Sequence, residues 1–121
     1  MKYIITESKL NNIVFKYLDS LNYLIIDNGK KYNNYIYFLN DESDVRAQIS
    51  VYHKNAFGEI RNWVYVDSDL INLINQFIPI QKSQLPKVIG RWVGDKLGLD
   101  IPSDEVYNTA YGDMNHRLII K

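Results

Sequence analysis

The segment from Val45 to His53 alternates strictly between apolar and polar residues, and this alternation constrains the fold more than any other feature of the chain. A repeat of two residues is that of a β-strand with one buried face and one solvated face. Such a strand needs partners, and three further segments have strand character: Tyr23–Asp27, Tyr35–Leu39 and Glu59–Val66. Because short connections separate neighbouring segments, the sequence predicts an antiparallel meander.

Three other segments carry apolar residues every three or four positions, which is the spacing of an amphipathic helix. The first covers residues 7–21. The second has Asp67 or Ser68 as its predicted N-cap, and Pro79 is expected to end it. The third starts near Ser83 and stops at Gly98, a residue type suited to the left-handed C-cap position.

Together these segments predict a single α+β domain over residues 1–121. We expect an antiparallel meander sheet of four to six strands with three amphipathic helices packed mainly on one face. Residues 100–121 have a weaker pattern, and a closing strand is expected at 117–121.

The charge balance and the lack of cysteine narrow the function classes. Lysine and arginine together number 14, as do aspartate and glutamate, so no net positive field attracts polyanions and nucleic acid is an unlikely partner. Without cysteine there is no disulfide, thiolate zinc site or cysteine nucleophile. No window approaches 18 uncharged apolar residues, and the start MKYIITESKL has no signal-peptide core, so neither a membrane span nor a leader is expected.

Residues suited to catalysis or metal binding are few and scattered. His53 and His116 are isolated, and each lies at a strand end or in a polar turn. The carboxylates at 41–44 and 100–105 do not have calcium-loop spacing and are interpreted as solvated turns. Phosphate-binding, dinucleotide-binding and nucleophile motifs are lacking. We therefore expect no metal, no cofactor and no enzymatic activity. A pair of carboxylates brought together from distant segments leaves no local motif in the sequence.

Alternation along the strands divides the sheet residues between two faces. An aliphatic face is predicted from Leu24, Ile26, Ile36, Phe38, Val45, Ala47, Ile49, Val51, Ile60, Val64 and Val66. The opposite face is predicted from Tyr23, Ile25, Tyr35, Tyr37, Leu39, Arg46, Gln48, Ser50, Tyr52, Glu59, Arg61, Trp63 and Tyr65.

The second face combines tyrosine, tryptophan and arginine, the residue types that dominate protein-binding hot spots. The predicted contact residues for a protein partner are Tyr35, Tyr37, Arg46, Tyr52, Arg61, Trp63 and Tyr65. Two alternatives stand beside this hypothesis. The rings could be ordinary filling of a half-buried sheet, or they could form a stacking platform for single-stranded nucleic acid.

Gly90 and Gly94 lie inside the third predicted helix, where each glycine costs about 1 kcal/mol relative to alanine. Since they are four residues apart, they fall on one edge of the helix. The pair predicts a close-packing strip, either against a neighbouring element of the same chain or against another molecule.

Two stretches, MKYIITES at 1–8 and VIGRWV at 88–93, resemble segments of small uncharacterised proteins of tailed bacteriophages with A/T-rich genomes. Ile, Asn, Lys and Tyr, whose codons are A/T-rich, make up 49 of the 121 residues. The resemblance implies a phage origin and carries no known catalytic residues.

The resulting hypothesis is a small, soluble, phage-encoded accessory protein that binds a protein partner or itself and has no catalytic activity. A virion component in a repeated assembly is the alternative, and a single-stranded nucleic-acid binder is a further one. The expected location is the host cytoplasm, or the virion under the alternative.

Overall fold

The computed structural model describes residues 7–27, 33–41, 43 and 47–109. Its helices are α1 (Glu7–Ser20), α2 (Ser68–Asn75) and α3 (Leu85–Leu97). Its strands are β1 (Leu24–Asp27), β2 (Asn33–Leu39), β3 (Ile49–Ala56), β4 (Glu59–Asp67) and β5 (Val106–Thr109), the last preceded by a 3₁₀ turn at Ser103–Glu105. The α+β class is confirmed. The closing strand expected at 117–121 lies outside the described residues.

The five strands form one sheet in the order β1-β2-β3-β4-β5. The first three pairings are antiparallel, as a meander requires, whereas β5 pairs parallel with β4. The sheet is therefore mixed rather than wholly antiparallel. A parallel neighbour needs a crossover connection, and α2 and α3 provide it between β4 and β5.

One face of the sheet packs against all three helices and holds the main core. Its buried strand residues are Ile36, Phe38, Ile49, Val51, Val64 and Val66, and its buried helix residues include Val14, Leu18, Leu70, Ile74, Ile89 and Trp92. Each large aliphatic or aromatic side chain buried in this way contributes about 1.5–3 kcal/mol. The packing of amphipathic helices on one aliphatic face thus stabilises the fold.

Two of the predicted helix ends match the structure, and one is shifted. The Asp67 carboxylate accepts a hydrogen bond from the backbone N–H of Asp69 at 3.3 Å, which caps α2. Gly98 ends α3 with a φ of 65°. The third helix begins after Gln84, one residue beyond Ser83, and Pro86 lies in its first turn.

The predicted faces of β1 are wrong. The register pairs Ile25 with Phe38 and Ile26 with Tyr37, so Ile25 lies on the helix side while Leu24 and Ile26 lie on the opposite side. An uninterrupted apolar run has no alternation to reveal its orientation, and a shift of one residue exchanges the faces.

A local irregularity also exchanges the sheet faces of the residues just before β3, relative to the sequence prediction. The backbone N–H of Gln48 donates to the Phe38 carbonyl, although the register partner of Phe38 is Ile49. Gln48 and Ile49 therefore both lie opposite Phe38, and two residues that face one residue of the neighbouring strand form a β-bulge. Gln48 thereby reaches the helix side, where its Oε1 accepts from the Tyr23 hydroxyl at 2.5 Å, and Ala47 moves to the opposite face. Both Tyr23 and Gln48 were predicted on that opposite face.

Candidate functional site: the aromatic face of the sheet

The strand register aligns three aromatic side chains on the face that lies opposite the helices. Tyr35 of β2 stands opposite Tyr52 of β3, which stands opposite Trp63 of β4. The ring centroids are 4.9 Å apart in the first pair and 5.3 Å apart in the second, which is stacked. Cross-strand aromatic contacts of this kind hold rings in defined positions and add stability beyond their buried area.

A second row runs beside the first. Tyr37, Ser50, Tyr65 and Tyr107 follow one another across β2, β3, β4 and β5. Tyr65 and Tyr107 stack with centroids 5.6 Å apart, and Tyr37 stacks on Tyr35 at 5.8 Å, which joins the two rows. We call the resulting surface the aromatic face; its rings are Tyr35, Tyr37, Tyr52, Trp63, Tyr65 and Tyr107.

Burial is graded across the aromatic face. Tyr37 is only 1% exposed and forms a small second core with Leu39 and Ala47, against which Ile26 packs. Trp63 and the remaining tyrosines of β2, β3 and β4 are half-buried, and Tyr107 is 43% exposed. The face is closed around Tyr37 and partly open towards β4 and β5.

Sequence reasoning missed Tyr107. The only signal in the sequence was the four-residue run VYNT at 106–109, which combines a β-branched residue with an aromatic one. A run this short gives no reliable periodicity. Its place in the sheet depends on the parallel pairing with β4, which local pattern does not reveal.

Charges at the margin of the aromatic face are mixed. Lys54 and Arg61 stand opposite each other on β3 and β4, next to the row of Tyr52 and Trp63. At the other margin, the Tyr107 hydroxyl donates to Glu105 Oε2 at 2.9 Å. The predicted contact residue Arg46 lies outside the described residues.

Three tyrosine hydroxyls of this face have raised pKa values. Burial raises the pKa of Tyr35 and that of Tyr65 above the ordinary tyrosine value. The hydrogen bond to Glu105 raises the pKa of Tyr107. At physiological pH these groups therefore act as hydrogen-bond donors and acceptors on large apolar rings, which is the chemistry of a contact surface.

The two glycines of α3 lie at internal contacts. A Cβ on Gly90 would come within 2.5 Å of Val106 Cγ2, and a Cβ on Gly94 would come within 2.9 Å of the Leu99 carbonyl oxygen. The absence of a side chain at Gly90 thus lets α3 lie directly against β5, which carries Tyr107 on its other side.

The remaining candidate chemistry is sparse in the part of the chain that the structure describes. Asp41 accepts hydrogen bonds from the backbone N–H and the hydroxyl of Ser43, as in a polar turn. Within the described ranges there is no group of three or more histidine, cysteine or carboxylate side chains placed to hold a metal ion. His116 lies outside those ranges, and His53 lines a cleft at the end of β3 and β4.

None of the described helices is both long enough and apolar enough to cross a membrane. Comparisons with family models, with curated proteins and with solved structures find no match to this chain.

Proposed function

We propose that this chain is a small phage-encoded protein-binding module, without catalytic activity, whose contact surface is the aromatic face. The observation that supports the proposal is the continuous set of ring contacts from Tyr35 through Tyr52 to Trp63, which stays partly exposed on a rigid sheet. Rigid aromatic rings with polar tips give a large contact area at low cost in conformational entropy.

The charges beside these rings favour a protein partner over a nucleic acid. Lys54 and Arg61 are the strand cations next to the ring row, while Glu105 lies at the other margin. Single-strand binders combine stacked rings with a groove of one positive sign. A protein surface with carboxylates and backbone carbonyls suits a mixed margin better, because it can pair with the cations and accept from the tyrosine hydroxyls.

A non-catalytic role fits the chemistry of the face. Burial raises the pKa of Tyr35 and that of Tyr65, and the Glu105 hydrogen bond raises the pKa of Tyr107, which removes these three groups further from proton transfer near neutral pH. The phage origin rests on the two sequence stretches that resemble phage proteins. It implies action in the host cytoplasm as an accessory protein, or in the virion under the alternative.

The experiment that tests the proposal is photo-crosslinking from defined positions. A photoreactive phenylalanine analogue replaces Tyr52, Trp63 or Tyr107 in the chain produced during phage infection. The matched control replaces Leu73, which is 42% exposed on α2, on the helix side of the sheet. We expect one protein adduct of constant mass from the aromatic-face positions and none from Leu73.

Two other adduct patterns would redirect the assignment. Adducts with a second copy of the chain, together with oligomers in light scattering, would favour the assembled virion component. Crosslinks to single-stranded nucleic acid, with submicromolar binding that is lost in Trp63→Ala, would favour the nucleic-acid alternative, which the stacked rings themselves support. Equal adducts from Leu73 and Trp63 would refute the aromatic face as the contact surface.

A further inference from the structure

A cleft of about 730 Å³ opens at the end of the sheet where α3 stops, and it adjoins the margin of the aromatic face at Arg61 and Glu105. It lies between the ends of β3 and β4 and the segment that connects α3 to β5. Its lining includes His53, Ile60, Asn62, Asp100, Asp104 and Glu105. Its size is within the range of small-molecule and side-chain binding sites.

A buried amide fixes the histidine of this cleft. Asn62 is 5% exposed, and its Nδ2 donates to the Asp100 carbonyl at 2.9 Å. This bond fixes which end of the amide is oxygen, so Asn62 Oδ1 faces His53 Nδ1 at 2.6 Å as an acceptor. His53 Nδ1 must therefore carry the hydrogen, and in the neutral ring Nε2 is left with a lone pair.

The cleft also contains carboxylates, which favour a positively charged ligand for this acceptor nitrogen. Asp104 and Glu105 line it from the 3₁₀ turn. Arg61 also borders it, but Arg61 alternates with Ile60 and Asn62 along β4 and so shares the face of Trp63. An exposed apolar side chain, Ile60, lies at the cleft as well, with 64% of its surface exposed.

We propose that this cleft binds a protonated amine or guanidinium group carried on an aliphatic chain. His53 Nε2 accepts one of its N–H groups, Asp104 and Glu105 neutralise its charge, and the chain lies on Ile60. Asn62 is a positioning residue, since it acts through the tautomer of His53. The same chemistry is present in a free polyamine and in a lysine or arginine side chain of a basic peptide.

The first test is the tautomer itself, read from the ring nitrogens of ¹⁵N-histidine-labelled protein. The chain contains two histidines, so His116→Gln gives the assignment. We expect the Nδ1–H tautomer for neutral His53, and a mixture of tautomers in Asn62→Leu, where the acceptor is lost. A predominant Nε2–H tautomer in the unsubstituted protein would overturn the proposal, and this measurement needs no variant that might fail to fold.

The second test is a titration of the labelled protein with defined probes. N-acetylarginine methylamide represents a peptide side chain, spermidine represents a free polyamine, and N-acetylcitrulline methylamide is the uncharged isostere. We expect saturable shifts of His53 Nε2 and of backbone amides around the cleft with at least one cation and none with the citrulline derivative. The tighter of the two cations identifies the source of the ligand.

Carboxylate variants give the control. Asp104→Asn should raise the Kd about two- to fivefold, the range for an exposed ion pair. Asp95→Asn removes an exposed carboxylate from α3 outside the cleft and should leave the Kd unchanged. Absence of saturable shifts with both cations, equal shifts with citrulline, or the same Kd change in both variants would overturn the proposal.

Discussion

The two sides of the sheet differ in what covers them, although adjacent residues of the same strands build both. On β3 and β4, Val51 and Val64 are fully buried beneath the helices, while their neighbours Tyr52 and Trp63 are only half-buried on the opposite side. The helix side is aliphatic and close-packed, whereas the other side is aromatic and has polar tips. Under the proposed function, the helix side accounts for stability and the second face, which the helices do not cover, provides the contact surface.

The contrast is not uniform, because the aromatic face has its own buried corner. Tyr37 and Leu39 are buried there with Ala47. We therefore expect side chains near Tyr37 to contribute to folding and those towards Trp63 and Tyr107 to contribute mainly to binding.

The largest effect should come from removing a ring on the helix side. Phe38 is fully buried and contacts the rings of Tyr23 and Trp92. Phe38→Ala should lower the free energy of unfolding by about 3–5 kcal/mol. Trp63→Ala, which removes a larger but half-buried ring, should cost less than half as much in the same urea titration. Equal losses in the free energy of unfolding would show that both faces of the sheet belong to the core and would contradict the difference between them.

The next effect concerns the contact between α3 and β5. Gly90→Ala should lower stability by about 1–2 kcal/mol, because crowding against Val106 outweighs the gain in helix propensity. In a Val106→Ala background the same change should be neutral or stabilising. The control is Gly94→Ala, whose Cβ would meet the Leu99 backbone oxygen and which Val106→Ala should not rescue. Thermal denaturation of the three single variants, the two double variants and the parent decides between these outcomes.

The turn between β3 and β4 should yield a gain in stability. Phe57 is fully exposed and has a φ of 55°, followed by Gly58 at 78°. Two positive φ angles are the pattern of a type I′ turn, which favours Asn-Gly. Phe57→Asn should therefore raise the free energy of unfolding by about 1 kcal/mol, because asparagine tolerates the left-handed region better than phenylalanine. A loss of stability would show that the Phe57 ring makes contacts within the fold.

The smallest effect is on pH dependence and compares a tyrosine from each side. Burial raises the pKa of Tyr23 on the helix side well above its ordinary value, and burial also raises the pKa of Tyr65. Since the folded state holds these protons more tightly than the unfolded state, both groups stabilise the fold below the ordinary tyrosine pKa, and that contribution is lost as pH rises above it.

Tyr23→Phe should accordingly reduce the loss of stability in alkali more than Tyr65→Phe does. At neutral pH, Tyr23→Phe should cost about 1 kcal/mol through the lost hydrogen bond to Gln48. Denaturant titrations of both variants between neutral and alkaline pH measure these differences. An unchanged alkaline profile in Tyr23→Phe would contradict the burial of its hydroxyl.

Patterns with a clear period predicted most of the fold. The alternation from Ile49 to Val51 and on β4 assigned the two faces correctly, and the stripes of α2 and α3 gave the helices that cover one of them. Prediction failed in the apolar run of β1, which has no period, and at the bulge of Gln48, which reverses the faces although the sequence alternates there. It failed again at β5, where only tertiary pairing defines the strand.

The two candidate sites also differed in how far the sequence could predict them. Strand alternation could predict that Tyr35, Tyr52 and Trp63 share a face, because the signal is local. The cleft could not be predicted, since it depends on a hydrogen bond between Asn62 and a backbone carbonyl 38 residues away in sequence. A histidine at a strand end carries no sign of such a partner.

The accessibility of the aromatic face is most directly measured by fluorescence quenching of single-tryptophan variants. Trp92→Phe leaves Trp63 as the reporter on the aromatic face, and Trp63→Phe leaves Trp92, which is 5% exposed on the helix side. We predict that acrylamide quenches Trp63 severalfold more efficiently than Trp92 in folded protein, and that the difference disappears in urea. Equal, weak quenching of both tryptophans in the folded state would show that the aromatic face is covered and would contradict its role as a contact surface.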